Sequence, residues 1–211
     1  MKTLMISLIP CIMIACNNKA IKGSGVEKTE TRTISEFESI HMASIGDYDV
    51  KVGLEPKLVI KADDNILELI KTEMSEKTLI IEQDKGVSNT EIKFEIQTPN
   101  LKKIKTSSVV KAHFFNLNGE TLQLDSSGVS TMKLQGNVKE FTISSSGLDT
   151  LDATALIAQK VKLASSGSGS FQVNAKQSLD IKLSGASKVS YMGEPELKKN
   201  ISGLASVKKL Q

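Results

Sequence analysis

Apolar and polar residues alternate along the second half of the chain, and the pattern returns about every 19 residues. A short phrase of the Ser-Ser-Gly type marks each return, and successive phrases lie 20, 19, 20, 18 and 18 residues apart. The phrases end at Ser108, Gly128, Gly147, Gly167, Gly185 and Gly203. A nearly constant short period of this kind indicates a solenoid of stacked repeats.

The apolar residues keep fixed positions relative to the glycine of each phrase. Positions six and four before it, and four and six after it, are apolar in most repeats, as in Leu122, Leu124, Met132 and Leu134 around Gly128. Alternation at period two predicts strands with one face inward. We therefore predict a corner at each glycine, where the backbone freedom of glycine permits the change of direction.

The length of the repeat selects one class of solenoid. About 19 residues are too few for a strand, a helix and their turns, and no leucine-rich-repeat consensus occurs. We predict parallel β-coils about 4.8 Å apart. Ser126, Ser145 and Ser165 should point inward and bond to one another or to the corner backbone, because an unpaired buried hydroxyl is costly. A meander of β-hairpins is the alternative, but it does not explain the constant phase.

The first residues have the features of a bacterial lipoprotein leader. Lys2 precedes an apolar region, and Met13-Ile14-Ala15-Cys16 resembles a lipobox. The resemblance implies cleavage before Cys16 and diacylglycerol on its sulfur; an uncleaved anchor is disfavoured because the apolar run is too short to span a bilayer. The chain then divides into a signal peptide, a flexible tether and a folded domain, at residues 1–16, 17–36 and 37–211.

An insertion separates the first coil from the others. Residues 37–53 fit one coil if Gly46 is its corner, and 54–100 are then predicted to cover the N-terminal end of the stack. A short helix with Asn65 as its N-cap should run to about Met74. A hairpin and a further strand complete the insertion, and the predicted strands are Lys57–Ala62, Thr78–Gln83 and Glu91–Thr98.

Composition excludes several classes of function. The formal net charge of +3 comes from 27 basic and 24 acidic residues, which gives no basis for a nucleic-acid partner. Both cysteines lie in the leader, so the mature chain lacks a disulfide, a thiol nucleophile and a cysteine metal site. His41 and His113 have no metal-site spacing, and no nucleophile elbow surrounds a serine. We expect no metal, no cofactor and no catalytic residue.

Two pairs of residues are candidate contacts. Asp47 and Asp49, beside the first corner, are candidate ligands for a weakly bound cation. Phe114 and Phe115 are adjacent, so one of them must point outward from a strand. That ring is a candidate contact for a partner or a neighbouring subunit.

Asp149 and Asp152 lie just after the Gly147 corner and suggest the carboxylates of solenoid enzymes. The neighbouring repeats carry no matching acids, because Ser130 and Gly169 stand at the position of Asp149. We therefore interpret both acids as solvated turn residues.

Several short motifs occur in a recognisable order. They are Gly23-Ser24-Gly25, Arg32, Phe37, Ile40, Asp47 to Val52, Ala62-Asp63-Asp64-Asn65, Thr78 to Ile81, Pro99-Asn100-Leu101, the Ser-Gly repeats and Tyr191 to Pro195. Together they resemble the bacterial head GIN domain family, described as autotransporter adhesins and found as exported lipoproteins, chiefly in Bacteroidetes. The resemblance implies an all-β fold, a single β-solenoid. It implies no binding residue, because the adhesin label rests on association with surface proteins.

The sequence thus predicts a lipid-anchored, non-catalytic envelope protein whose repetitive surface contacts a protein or glycan partner. A carbohydrate-processing or carbohydrate-binding solenoid is one alternative, and a periplasmic partner in envelope-stress signalling is another. Asn17 and Asn18 follow Cys16 where an inner-membrane retention signal would have aspartate, so we expect the outer membrane. The oligomeric state and the ligand stay open.

Overall fold

Parallel strands account for most of the chain. The computed structural model describes residues 20–210, so the predicted signal peptide, Cys16 and the first residues of the predicted tether lie outside the described residues. In chain order the elements are β1 (Ile21–Lys22), β2 (Glu27–Arg32), β3 (Ser39–Ala43), β4 (Gly46–Val52), β5 (Lys57–Asp63), α1 (Asp64–Leu67), β6 (Ile70–Ser75), β7 (Thr78–Gln83), β8 (Val87–Ser88), β9 (Lys93–Thr98), β10 (Lys103–Thr106), β11 (Val109–Ser126), β12 (Val129–Ser145), β13 (Leu148–Ser165), β14 (Ser168–Leu183), β15 (Ala186–Met192), β16 (Glu196–Ile201) and β17 (Ser206–Lys209).

The coils stack in register, each paired in parallel with the next. Each passes one corner at the Ser-Ser-Gly phrase, and the long strands turn again at a bulge, such as the register shift between Phe114 and Leu117. Positions six before the glycine align across four coils, at Leu122, Phe141, Val161 and Leu179. The predicted β-solenoid and its phase are confirmed.

The predicted inward residues form the core of the solenoid. Leu122, Phe141, Val161 and Leu179 are each at most 1% exposed. The other three predicted apolar positions are buried in the same coils, except that Tyr191 is half-buried and packs against the core. Full burial of one such side chain stabilises the fold by about 1.5–3 kcal/mol. Within residues 20–210, no helix is both long enough and apolar enough to cross a bilayer.

The reason for the corner glycines differs from the predicted one. Gly128, Gly147 and Gly167 do not have positive φ values, unlike Gly136 at the bulge corner. They are instead stacked against the backbone of the preceding coil. A Cβ on Gly147 would lie 2.0 Å from the carbonyl oxygen of Gly128. Close approach of two backbones, and not a left-handed conformation, requires glycine at these corners.

The corner of the first coil lies two residues before the predicted one. The pairing of β3 with β10 and of β4 with β11 places Ser44, and not Gly46, level with the repeat glycines. A shift of two residues is one full period of a strand, so the inward face is unchanged. Ile40, Met42 and Val50 are accordingly fully buried.

The insertion covers the N-terminal end of the stack with antiparallel strands. Strand β5 pairs with β9, and β6 pairs with β7, so the hairpin is formed by β6 and β7. The helix is a single turn and does not reach Met74, because Ile70–Ser75 pairs with β7 instead. The predicted N-cap is also wrong: Asp63 precedes the helix, and Asn65 bonds to residues outside it.

The predicted tether is largely part of the fold. Strand β2 pairs antiparallel with β5, and β1 pairs in parallel with β8. The loop between β1 and β2 is bonded to the start of α1: the Ser24 amide donates to Asn65 Oδ1 at 3.0 Å, and the Gly25 amide donates to Asp63 Oδ2 at 3.1 Å. Strand β2 is polar on both faces, so its sequence has no periodic signal. We call residues 22–25 and 63–65 the N-terminal clasp.

Arg32 fixes β2 to the cap. Its Nη1 donates to the Ile70 carbonyl at 2.7 Å, and its Nη2 donates to the Leu67 carbonyl at 3.1 Å. Arg32→Met keeps the aliphatic stem but leaves both carbonyls without this donor, so the free energy of unfolding should fall by about 1–3 kcal/mol. Urea denaturation measures it, with Lys28→Met on the same strand as control, because Lys28 makes only an exposed 3.7 Å ion pair with Asp64. Equal losses in the two variants would contradict this role for Arg32.

Candidate functional site

The Ser-Ser-Gly corners form an open groove that runs along the stack. The groove encloses about 570 Å³ and is lined by residues of six consecutive coils. Its walls come from the residues one and three positions before each glycine, and its floor from the residue between them. We call it the serine groove; the serines one position before the glycine are Ser127, Ser146, Ser166, Ser184 and Ser202.

These serines form a ladder, and three of them, Ser127, Ser146 and Ser202, share one hydrogen-bonding pattern. Ser127 Oγ lies 3.3 Å from the Thr106 carbonyl oxygen, and Ser146 Oγ lies 3.5 Å from that of Ser126, each one coil away. A hydroxyl that donates to a carbonyl keeps its oxygen lone pairs as acceptors. The ladder therefore offers acceptors to a ligand, spaced about 4.8 Å apart like the coils.

The wall three positions before the glycine is small in the middle and basic towards its ends. Ser144 and Ala164 are exposed in the centre, and Lys105 and Lys182 lie on either side of them along the stack. In the described part of the chain, neither lysine belongs to an ion pair, whereas Asp125 is paired with Lys103 at 3.1 Å. The arrangement suits an extended ligand with hydrogen-bond donors and acidic groups.

A buried polar cluster supports the floor of the groove. Asp149 is 4% exposed. Its Oδ1 accepts from Ser126 Oγ at 2.6 Å and from Ser130 Oγ at 2.5 Å, and its Oδ2 accepts from Ser145 Oγ. The interpretation of Asp149 as a solvated turn residue is therefore wrong. We call these four residues the Asp149 cluster.

The cluster also alters the predicted bonding of the inward serines. Ser165 does bond to another serine, Ser187, at 3.1 Å, but Ser126 and Ser145 bond to Asp149. Asp152 lies outward, where it accepts from the amide and hydroxyl of Thr154. The phase of the repeat contained the signal for Asp149, since it lies two residues after Gly147 and even offsets face inward.

One serine and one histidine meet near the Lys105 end of the groove. His41 Nε2 lies 3.0 Å from Ser107 Oγ. Partial burial, and then the positive charge of Lys105, lower the pKa of His41 below its usual value. A base needs a third group to orient it, and within residues 20–210 no carboxyl group bonds to Nδ1 of His41. The contact therefore lacks the geometry of a catalytic triad.

The two adjacent phenylalanines point to opposite sides, as expected for a strand. Phe114 is fully buried, which excludes it as a partner contact. Phe115 is half-buried and lies edge-on to His113, with 6.2 Å between ring centroids. Only Phe115 is placed where it can contact a partner, and that role stays a prediction.

Asp47 and Asp49 are exposed on β4 and have basic neighbours. Lys111 Nζ lies 3.4 Å from Asp47, and His113 Nδ1 lies 3.7 Å from Asp49. Residues 20–210 contain no group of three or more His, Cys, Asp or Glu side chains arranged to hold a metal ion. The cation role of the two carboxylates stays a prediction.

Comparison with known proteins agrees with this fold. Residues 36–195 match the family described as "Putative auto-transporter adhesin, head GIN domain". A crystal structure from Bacteroides fragilis NCTC 9343, described as "a putative adhesin", is 25% identical, with a TM-score of 0.75 over 90% of this chain and 100% of that chain. No curated protein matches the sequence.

Two further crystal structures are similar in fold. One, from Parabacteroides distasonis ATCC 8503, is described as a "Putative lipid binding protein" and is 21% identical, with a TM-score of 0.59 over 92% of this chain and 100% of that chain. The other, "a putative adhesin" from Parabacteroides merdae ATCC 43184, is 18% identical, with a TM-score of 0.53 over 91% of this chain and 99% of that chain. At these identities the likeness concerns the fold.

Proposed function

The chain belongs to the head GIN domain family, and from that premise we propose that it is a lipid-anchored, non-catalytic envelope protein that binds an adhesion partner in the serine groove. The observation that carries the proposal is the groove itself, an open channel of hydroxyl acceptors across five coils. An open channel of regular spacing suits an extended segment better than a small substrate.

The partner we propose is a protein segment in extended conformation. Its backbone or side-chain donors would bond to the serine ladder, and acidic side chains would pair with Lys105 and Lys182. The Asp149 cluster supports this function indirectly, because it holds Ser126 and Ser145 of the groove floor in fixed positions. A floor without side-chain motion lowers the entropic cost of binding.

We place the protein in the outer membrane, held by diacylglycerol on Cys16. The lipobox-like sequence Met13-Ile14-Ala15-Cys16 supports this placement, and the family's description as an autotransporter adhesin supports the cell envelope in general.

A capture experiment with two matched variants tests the binding site. Ala164 and Thr150 are both exposed on β13, but only Ala164 lines the groove. The domain, with Ala164→Glu or Thr150→Glu, is immobilised and incubated with solubilised native membranes. We expect the unaltered domain and Thr150→Glu to retain the same proteins. Ala164→Glu should reduce their recovery at least ten-fold, because its side chain obstructs the middle of the groove and its charge repels acidic groups of the partner. Equal recovery with both variants would remove the groove from the proposal.

A carbohydrate ligand is the second candidate, favoured by the same ladder of hydroxyls. Among the described residues that line the groove, none is aromatic, and sugar-binding sites usually have such a platform. Screening envelope and host polysaccharides separates the two candidates: binding or turnover that Ala164→Glu abolishes and Thr150→Glu leaves intact would favour the carbohydrate. Asp149→Ala is unsuitable for this test, since Asp149 is a buried part of the fold.

A further inference from the structure

We propose that the capped end of the solenoid, where the N-terminal clasp holds the chain, lies directly on the membrane that holds the lipid anchor. The surface consists of Ala20, Lys22, Lys85 and Gly86, and its partner is the layer of lipid headgroups around the anchor. This inference rests on the proposed lipid at Cys16 and goes beyond it, because it fixes which end of the protein faces the bilayer.

The chain is fixed to the fold from the beginning of β1. The Ile21 amide donates to the Gly86 carbonyl at 2.8 Å, and the Gly23 amide donates to the Ser88 carbonyl at 3.0 Å. The Lys22 carbonyl accepts from Asn65 Nδ2 at 2.9 Å. The contact is tight, since a Cβ on Gly23 would lie 1.8 Å from Asp63 Oδ2. The fold therefore holds the chain from its first described residues onward.

The chain between that position and the lipid anchor is short. Three residues separate Cys16 from Ala20, and an extended chain covers at most about 14 Å over the four steps between them. A flexible tether of 20 residues, as the sequence suggested, would have an average span of about 25 Å and a much longer reach. Because the fold already holds the chain at Ala20, a lipid on Cys16 keeps Ala20 within about 14 Å of the anchor and therefore beside the headgroups.

Ala20 lies at the capped end of the solenoid. A Cβ on Gly86 would be 3.9 Å from the side chain of Ala20, so the chain enters beside the loop that follows β7. From β7 to β16, in the last coil, the sheet has seven strand spacings, or about 34 Å. The cap is therefore close to the bilayer, and the last coil is the far end.

The charges around the entry point suit this contact. Lys22 and Lys85 are exposed, and in the part of the chain that the structure describes neither forms an ion pair. The neighbouring Asp84 is already paired, with Lys71 at 2.7 Å. Two basic side chains beside the anchor can pair with anionic lipid headgroups.

Fluorescence quenching in vesicles tests the orientation. Lipidated full-length protein is placed in vesicles of phosphatidylethanolamine and phosphatidylglycerol that carry nitroxide-labelled headgroups. Because lipid occupies Cys16 and cleavage removes Cys11, the cysteine of Lys85→Cys or Leu204→Cys is the single free thiol for a fluorophore. Leu204 is 90% exposed in the last coil, so it is the matched distant position. We expect quenching at residue 85 to exceed that at residue 204 at least three-fold.

Two controls separate the causes. Insertion of 20 Gly and Ser residues between residues 19 and 20 should reduce the three-fold difference towards equality, because it lengthens the connection without changing the domain. Flotation with the vesicles reports the anchor by itself: unaltered protein should float and Cys16→Ser should not. Failure to float would overturn the lipid anchor of the proposed function. Protein that floats but is quenched equally at both positions, or more at residue 204, would overturn only the orientation.

Discussion

Gly147→Val is expected to destabilise the solenoid by about 3 kcal/mol or more, among the largest losses available to a single substitution outside the buried polar cluster. The cause is steric: even a Cβ would lie 2.0 Å from the Gly128 carbonyl oxygen, and valine adds two methyl groups. The overlapping atom belongs to the backbone, so no side-chain rotation relieves it. Relief requires two coils to separate, which weakens the hydrogen bonds that join them.

Two further substitutions should destabilise the solenoid less, to a degree that depends on where each residue lies in the stack. Gly203 makes an equally short contact, with a Cβ 2.1 Å from the Gly185 carbonyl oxygen, but it lies in the last coil. That coil can move without disturbing another, so Gly203→Val should cost less. Ser146 is exposed on the ladder, and Ser146→Val should cost least, because a β-branched residue suits an outward strand position.

Thermal unfolding followed by circular dichroism measures the order. The melting temperature should fall most for Gly147→Val, less for Gly203→Val and least for Ser146→Val. A greater loss for Ser146→Val would mean that the phase of the repeat is wrong by one residue. Gly147→Ala separates the two explanations of the corner glycine, which are a left-handed backbone conformation and the close approach of two backbones. Close approach predicts a large loss of stability even for alanine.

The repeating part of the fold could be predicted from the sequence because its signal is redundant. The four apolar positions around each glycine recur in coil after coil, so one atypical residue does not hide the phase. The first coil shows the limit of this reasoning. It occurs once in its part of the sequence. The presence of Gly46 therefore led to a predicted corner two residues after the observed one at Ser44, although every inward residue was predicted correctly.

The cap and the clasp depend on contacts between distant residues, which periodicity does not reveal. Residues 66–74 have apolar spacing compatible with a helix, yet Ile70–Ser75 forms a strand because β7 offers it a partner. In the same way, Glu27–Arg32 has no apolar face, and its strand exists because β5 pairs with it. Gly23-Ser24-Gly25 was recognised as a family motif, but its bonds to residues 63–65 were not foreseeable from local sequence.

The serine groove was partly foreseeable. The phase of the repeat implies that the serine before each glycine faces outward, but the depth of the groove depends on the small residues Ser144 and Ala164 between more distant lysines. Asp149 was missed for a different reason. Acidic residues near a turn are usually solvated, whereas the inward phase of this position indicates burial.

Asp149→Leu should destabilise the fold by roughly 3 kcal/mol or more, since it removes the acceptor of three buried hydroxyl groups and each orphaned group costs about 1–3 kcal/mol. Leucine keeps the branched heavy-atom arrangement of aspartate but replaces its two oxygens with larger methyl groups, so crowding adds to the loss from unpaired polarity. Asp149→Asn should cost less. Its one carbonyl oxygen can still accept from Ser126 and Ser130, and only the bond from Ser145 must be replaced.

A combined variant distinguishes lost hydrogen bonds from lost packing. Ser126→Ala, Ser130→Ala and Ser145→Ala, added to Asp149→Leu, remove the hydroxyl groups that the single substitution orphans. If unpaired polarity is the cause, the combined variant should be more stable in urea than Asp149→Leu alone, although it contains more substitutions. If the combined variant is less stable than the single one, the serines contribute through packing, and the Asp149 cluster is not the unit that holds the groove floor. Non-additive recovery would show that the four side chains are energetically coupled, because independent sites would add their losses.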